Sequence, residues 1–258
     1  MYTACNERMK AESGHKFCQY LSKGGKDRVI KAVIFDMDGV IIDSEGKYLE
    51  YIYEFAREKR RDIQIEELYG TVGATKRDCW EIVEKAVANG QSWEELRREY
   101  HERGIWKRAF EEVDYQAIFR PEVLEVMDEL KAMGIRLAVA SSTGLEQVKR
   151  ILTMNHVWER LETAVSGEMF KRSKPDPEIF LKAASLLKVP IAACIVAEDS
   201  INGLKAARAA GAISCMIPDL TPYTKELFPF CDYVSPSLLD CKEILLQTPE
   251  ADKLKSWK

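Results

Sequence analysis

Val29-Ile30-Lys31-Ala32-Val33-Ile34-Phe35-Asp36-Met37-Asp38-Gly39 is the stretch on which the fold turns. A short apolar run that stops abruptly in Asp-x-Asp-Gly reads as a buried strand whose last residues turn outward. Further strand-like runs follow at 135–140, 163–165, 192–197 and 212–217, with a short one at Tyr233-Val234. Helical stretches lie between most of them. Residues 121–133 place Val123, Leu124, Val126, Met127, Leu130 and Met133 on one side, with Pro121 in the first turn and Gly134 as the stop. The same spacing returns at Leu145, Val148, Ile151 and Leu152, and at Ile179, Phe180, Ala183, Ala184 and Leu187. Alternation of this kind predicts an α/β fold, a parallel sheet covered by helices on both faces.

One interval breaks the rhythm. From Asp36 to Gly134 no strand-like run occurs, whereas a simple crossover unit takes ~30 residues. Something helical is inserted there, since Tyr48-Ile52-Phe55 and Trp80-Val83-Val87 keep helical spacing in a segment rich in Glu, Arg, Tyr and Trp. The expected division is a catalytic core at 29–46 and 117–245, a helical cap at 47–116, and a polar, poorly ordered leader at 1–28.

Composition removes several functional classes. The 258 residues are 46% hydrophobic and 31% charged, ordinary for a globular protein and enough for a full core. Lys+Arg number 38 against 42 Asp+Glu, a net charge of −4, without the basic excess that nucleic-acid binding requires. Seven scattered cysteines form no C-x-x-C pair, and three distant histidines form no helical metal motif, so reduced thiols and no zinc site are expected. Glu7, Arg8, Lys10, Glu12 and Lys16 stand where a signal peptide would need an apolar core, and no apolar run approaches the ~18 residues of a spanning helix. A cytoplasmic monomer with no membrane or nucleic-acid partner is expected.

Four clusters fall at carboxyl ends of strands or in the loop before a helix, where open parallel sheets place their ligand crevices. Asp36 and Asp38 flank Met37; alone they could be turn-forming acids before a glycine. Ser141-Ser142-Thr143-Gly144 opens a helix, as a capping cluster or as a phosphate cradle. Lys174 sits in Lys174-Pro175-Asp176-Pro177, where two prolines stiffen the backbone around its ammonium. Glu198-Asp199-Ser200 ends a strand, and adjacent carboxylates there are costly unless a cation neutralises them. Oxygen ligands without a nearby histidine or thiol select Mg²⁺.

Together, Phe35-Asp36-Met37-Asp38-Gly39-Val40-Ile41-Ile42-Asp43-Ser44, Ala140-Ser141-Ser142, Ser173-Lys174-Pro175-Asp176-Pro177-Glu178-Ile179-Phe180 and Glu198-Asp199-Ser200 resemble the haloacid dehalogenase superfamily, in its branch of β-phosphoglucomutases and small-molecule phosphatases. The likeness spans roughly residues 29–240. It implies a Rossmann-like core with strand order 5-4-1-2-3 and a helical cap after the first strand. It further implies that Asp36 attacks phosphorus, Asp38 acts as acid and then base, and Ser141 and Lys174 hold phosphoryl oxygens. Mg²⁺ would then lie among Asp36, Asp38 through its backbone carbonyl, Asp199 and Glu198.

The substrate would be a small phosphate ester, and the cap would select it. Ser44, Tyr48, Lys76 and Ser142 are the expected substrate-binding residues. Tyr48 stands where mutase-like members commonly carry a histidine, and Lys76 stands where their cap loop often offers an arginine. An ammonium grips phosphate as a point charge, not as a bidentate fork. The expected activity is therefore a Mg²⁺-dependent phosphatase acting through an aspartyl phosphate. A phosphomutase of the β-phosphoglucomutase type and a catalytically idle binding module are the alternatives.

Overall fold

A computed structural model of the chain describes residues 19–20, 29–71, 76–105, 107–108, 112–219, 225–235 and 237–239. In chain order the elements are β1 (Gln19–Tyr20), β2 (Ala32–Phe35), α1 (Ser44–Lys59), α2 (Lys76–Val87), α3 (Trp93–Glu102) and α4 (Glu122–Ala132). They continue with β3 (Arg136–Ala140), α5 (Leu145–Met154), β4 (Thr163–Val165), α6 (Glu178–Leu186), β5 (Cys194–Glu198), α7 (Ile201–Ala210), β6 (Ile213–Met216) and β7 (Tyr233–Val234).

The sheet order is β1-β7-β6-β5-β2-β3-β4. All pairings are parallel except β1 with β7. The five strands β6-β5-β2-β3-β4 reproduce the 5-4-1-2-3 order expected from the sequence. β7 and β1 lengthen one edge; Gln19–Tyr20 therefore belong to the sheet, and the rest of the expected leader lies outside the described residues.

Strand periodicity explains the two cores. Val33 and Phe35 of β2 point into a cluster with Val126, Met127 and Leu130 of α4 and Val148, Ile151 and Leu152 of α5. Ala32 and Ile34 point the other way, against Phe180, Ala183 and Ala184 of α6 and Ala206 and Ala207 of α7. With both faces covered, β2 has no polar side, which is why it reads as a continuous apolar run. β5 differs from expectation at both ends: residues 191–193 form a short 3-10 turn and the strand runs on through Glu198.

The helices between β2 and α4 bury their own cluster, in which Phe55, Trp80 and Tyr100 meet edge to face around Leu49, Ile52, Val83, Val87 and Leu96. Ser92 and Glu95 start α3 with a reciprocal capping box. The chain enters and leaves this unit side by side. Ile42 and Phe119 form an antiparallel bridge, Asp43 N–H donates to Ile118 C=O at 2.8 Å, and Arg120 N–H donates to Ile41 C=O at 3.0 Å.

Among the described residues, no helix is long and apolar enough to cross a membrane. Among the described residues, Cys79, Cys194, Cys215 and Cys231 are not joined in disulfides.

Candidate active site

Sheet register assembles the site. Phe35 lies opposite Val139 on one side and Ala197 on the other, so the chain beyond each strand emerges at one edge. Asp36, Ser141 and Glu198 are thereby brought together from three separate parts of the sequence. Lys174 arrives from the loop before α6, whose start is held by Asp176 Oδ1 accepting from Glu178 N–H at 3.0 Å.

Asp36 is 6% exposed. Lys174 Nζ donates to its Oδ1 at 2.6 Å and to Glu198 Oε1 as well. Burial pushes the Asp36 carboxyl well above the ordinary range; the Lys174 ammonium opposes this, while Glu198 and Asp38 add to it. Burial alone would push Lys174 down, but the carboxylates of Asp36 and Glu198 prevail and hold it above its usual value as a firm cation.

Glu198 is fully buried. Its Oε2 accepts from Ser200 N–H at 2.7 Å and Ser200 Oγ at 2.9 Å, at the N-terminus of α7. Gly203, in the first turn of α7, makes room for it, since an added Cβ would fall 1.8 Å from Glu198 Oε1. Asp199, also buried, lies against Gly39, where an added Cβ would come within 2.1 Å of Asp199 Oδ2. Gly39 has a φ of 76°, in the left-handed region that favours glycine. The Asp199 carboxyl is pushed well up by burial and then by the charges of Glu198 and Asp36.

Asp36, Glu198 and Asp199 offer oxygen atoms all within 4.8 Å of one another. One ammonium does not balance three buried carboxylates, and an all-oxygen donor set suits a hard divalent cation. These residues therefore fit the Mg²⁺ expected from the sequence. The carboxylate of Asp38 is directed elsewhere and does not belong to this cluster.

Asp38 is held by hydroxyls. Ser44 Oγ donates to its Oδ1 at 2.7 Å, and Thr143 Oγ1 and Ser141 Oγ approach its Oδ2 at 3.2 and 3.4 Å. Ser141 Oγ also accepts from Thr143 N–H at 3.0 Å, which fixes this turn. The turn differs from expectation at its end: Leu145 N–H at the start of α5 donates to Glu168 Oε2 at 2.9 Å, not to the crevice.

Of the expected substrate-binding residues, Ser44 is buried against Asp38, and Tyr48 lies beside it in a narrow recess also lined by Tyr115, Thr143 and Gln147. Burial and then the Asp38 charge push the Tyr48 phenol up, keeping it protonated. Ser142 is exposed. Lys76 opens α2, and its side chain lies outside the described residues. Sequence reasoning passed over Thr143 as a site residue, although it lay inside the quoted cluster, and it missed Tyr115 and Gln147, whose Nε2 donates to Tyr115 Oη at 2.7 Å. The Gln147–Tyr115 contact joins parts of the chain that no local pattern connects.

A family model described as haloacid dehalogenase-like hydrolase matches residues 30–211. The chain belongs to that family. Among similar proteins of this hydrolase family, the Phosphorylated carbohydrates phosphatase of Thermotoga maritima is 33% identical over 183 residues, 70% of this chain and 82% of the relative. Hexitol phosphatase B of Escherichia coli K12 is 30% identical over 224 residues, 84% of this chain and 98% of the relative. The solved structure of β-phosphoglucomutase from Clostridium difficile shares the haloacid dehalogenase-like fold with a TM-score of 0.63 at 22% identity, covering 89% of this chain and 99% of that one.

Proposed function

We propose that this haloacid dehalogenase-like hydrolase is a Mg²⁺-dependent phosphatase of a small phosphorylated metabolite, a sugar or hexitol phosphate, working as a cytoplasmic monomer. The observation that carries the reading is the contrast between two aspartates one residue apart. Asp36 is buried against Lys174 with its carboxylate among charges. Asp38 faces the hydroxyls of Ser44, Ser141 and Thr143. Different surroundings suit different chemical roles. The names of the two phosphatase relatives supply the substrate class.

In this reading the catalytic core is 29–46 with 117–245 and the cap is 47–116. A carboxylate approaches a phosphate dianion only when positive charge offsets their repulsion. Lys174 supplies part of that charge, and Mg²⁺, which Asp36, Glu198, Asp199 and the Asp38 carbonyl would hold, would supply the rest. Asp36 oxygen forms a bond to phosphorus as the ester P–O bond breaks, and Asp38 gives its proton to the departing oxygen. Asp38 then removes a proton from water as that water displaces Asp36 from phosphorus, releasing inorganic phosphate. Ser141 and Lys174 align the phosphoryl oxygens, and alignment with charge stabilisation accounts for most of the acceleration. Ser44 and Tyr48 border the leaving group, and Ser142 and Lys76 complete its contacts.

Phosphate release over a panel of sugar, nucleotide and other metabolite phosphates tests the reading directly. Asp36→Asn is expected to abolish turnover with the fold intact by circular dichroism. Near wild-type turnover, with no deamidation by mass spectrometry, would remove Asp36 as nucleophile. Efficient conversion of β-glucose 1-phosphate to glucose 6-phosphate without matching free phosphate would assign the mutase reaction instead.

A further inference from the structure

The two linkers of the inserted unit meet a charge pair that the proposed chemistry does not use. Arg120, the last residue of the returning linker, donates from Nη2 to Asp219 Oδ1 at 2.5 Å, with the side chains only 19% and 11% exposed. Asp219 follows β6 in a segment that runs beside the metal-side acids, since Ile217 N–H donates to Glu198 C=O at 2.8 Å. One end of the pair is thus on the hinge and the other on the neighbour of Glu198-Asp199.

Stability alone does not account for it, because a largely buried ion pair is often no better than apolar residues of similar volume. Arg120 is also incompletely satisfied: its Nε is buried without a hydrogen-bond partner. Asp43, on the outgoing linker, has a buried Oδ1 in the same condition. The register that pairs Asp43 with Ile118 and Arg120 with Ile41 puts Asp43 and Arg120 on one face of the linker pair, two positions apart. Arg120, on the returning linker, therefore joins three segments: its backbone N–H holds the outgoing linker at Ile41, and its guanidinium holds the acid-bearing edge at Asp219.

We propose that Arg120 is a positioning residue of the hinge: through Asp219 it ties the returning linker to the edge that carries Glu198 and Asp199, and so sets where the helical unit rests over Asp36. The kinetic part of this inference depends on the phosphatase reading, and the structural part does not.

Two measurements test it. Amide hydrogen exchange on the full chain should show Asp43 and Arg120 N–H, which close the linker pair, exchanging about tenfold faster or more in Arg120→Met and in Asp219→Asn, with the β3 and β5 amides unchanged. In parallel, Arg120→Met should raise KM for a hexose phosphate about tenfold, as for loss of a charge-assisted hydrogen bond, while kcat for p-nitrophenyl phosphate stays within about threefold. Arg120→Lys should recover part of the KM. Unchanged hinge exchange in both variants overturns the proposal, as does equal loss on both substrates with faster exchange throughout the core. A wild type that hydrolyses no phosphate ester would sink the phosphatase reading, leaving the exchange result to decide the role of Arg120.

Discussion

An alanine inside a helix ordinarily replaces glycine with a gain of about 1 kcal/mol. At Gly203 the opposite is expected. The new Cβ would stand 1.8 Å from Glu198 Oε1 and 1.9 Å from its Cδ, so the carboxylate must leave its place. It has little room to do so, being fully buried, and on moving it gives up Lys174 and both Ser200 donors. Breaking a buried charged pair costs about 3–5 kcal/mol. Set against the gain in helix propensity, Gly203→Ala should destabilise by about 2–4 kcal/mol, lowering Tm by roughly 5–15 °C for a chain of this size. Urea unfolding of four proteins reads the cause: wild type, Gly203→Ala, Glu198→Ala and the double variant. With the carboxylate gone, Gly203→Ala should become neutral or stabilising by about 1 kcal/mol, a coupling that the cycle isolates. An equal cost in both backgrounds would refute the claim that Gly203 exists to make room for Glu198.

The raised Asp36 and Asp199 carboxyls give a pH signature. Each contributes stability that is full below the unfolded value of ~4 and is lost as pH rises toward its higher folded value. A divalent cation favours the ionised forms, so the Tm increase produced by excess Mg²⁺ should grow from pH 5 to pH 8 in scanning calorimetry. At about 100 times Kd the stabilisation is about 2.7 kcal/mol, and a shift that shrinks with pH would contradict the assignment. Ser44→Ala removes a hydroxyl donor from Asp38 and should lower kcat about tenfold for an alkyl phosphate, which needs its leaving oxygen protonated, while p-nitrophenyl phosphate, with its good leaving group, changes little. Equal losses for the two esters would instead point to a structural role for Ser44.

Much of this molecule was legible because strand ends are legible. Asp36, Ser141, Glu198 and Asp199 follow apolar runs whose parallel pairing brings them to one edge, and the proline-flanked Lys174 reaches both Asp36 and Glu198. The helical insertion announced itself by the missing strand and by Ile52, Phe55, Trp80, Val83 and Val87, all of which are buried in one cluster. Gly203 gave no such signal, for its importance is a carboxylate passing close to a helix backbone, a fact of three dimensions. Arg120 and Asp219 lie far apart in sequence and belong to no periodic pattern. Gln19–Tyr20 carried no alternation long enough to read, because pairing of two residues is decided by the edge of β7 that receives them.

The side-by-side passage of the outgoing and returning linkers has a consequence for how proteins of this design diversify. Because residues 41–43 and 118–120 are joined by backbone hydrogen bonds, the sheet meets the insertion at a single doorway. Closing a loop grows costlier only slowly with its length, and the doorway fixes the ends whatever lies between them. A different helical unit, longer or shorter, can be grafted at that point without altering the register that gathers Asp36, Ser141 and Glu198. What lies beyond the doorway is then free to change in length and content while the strand ends keep their places.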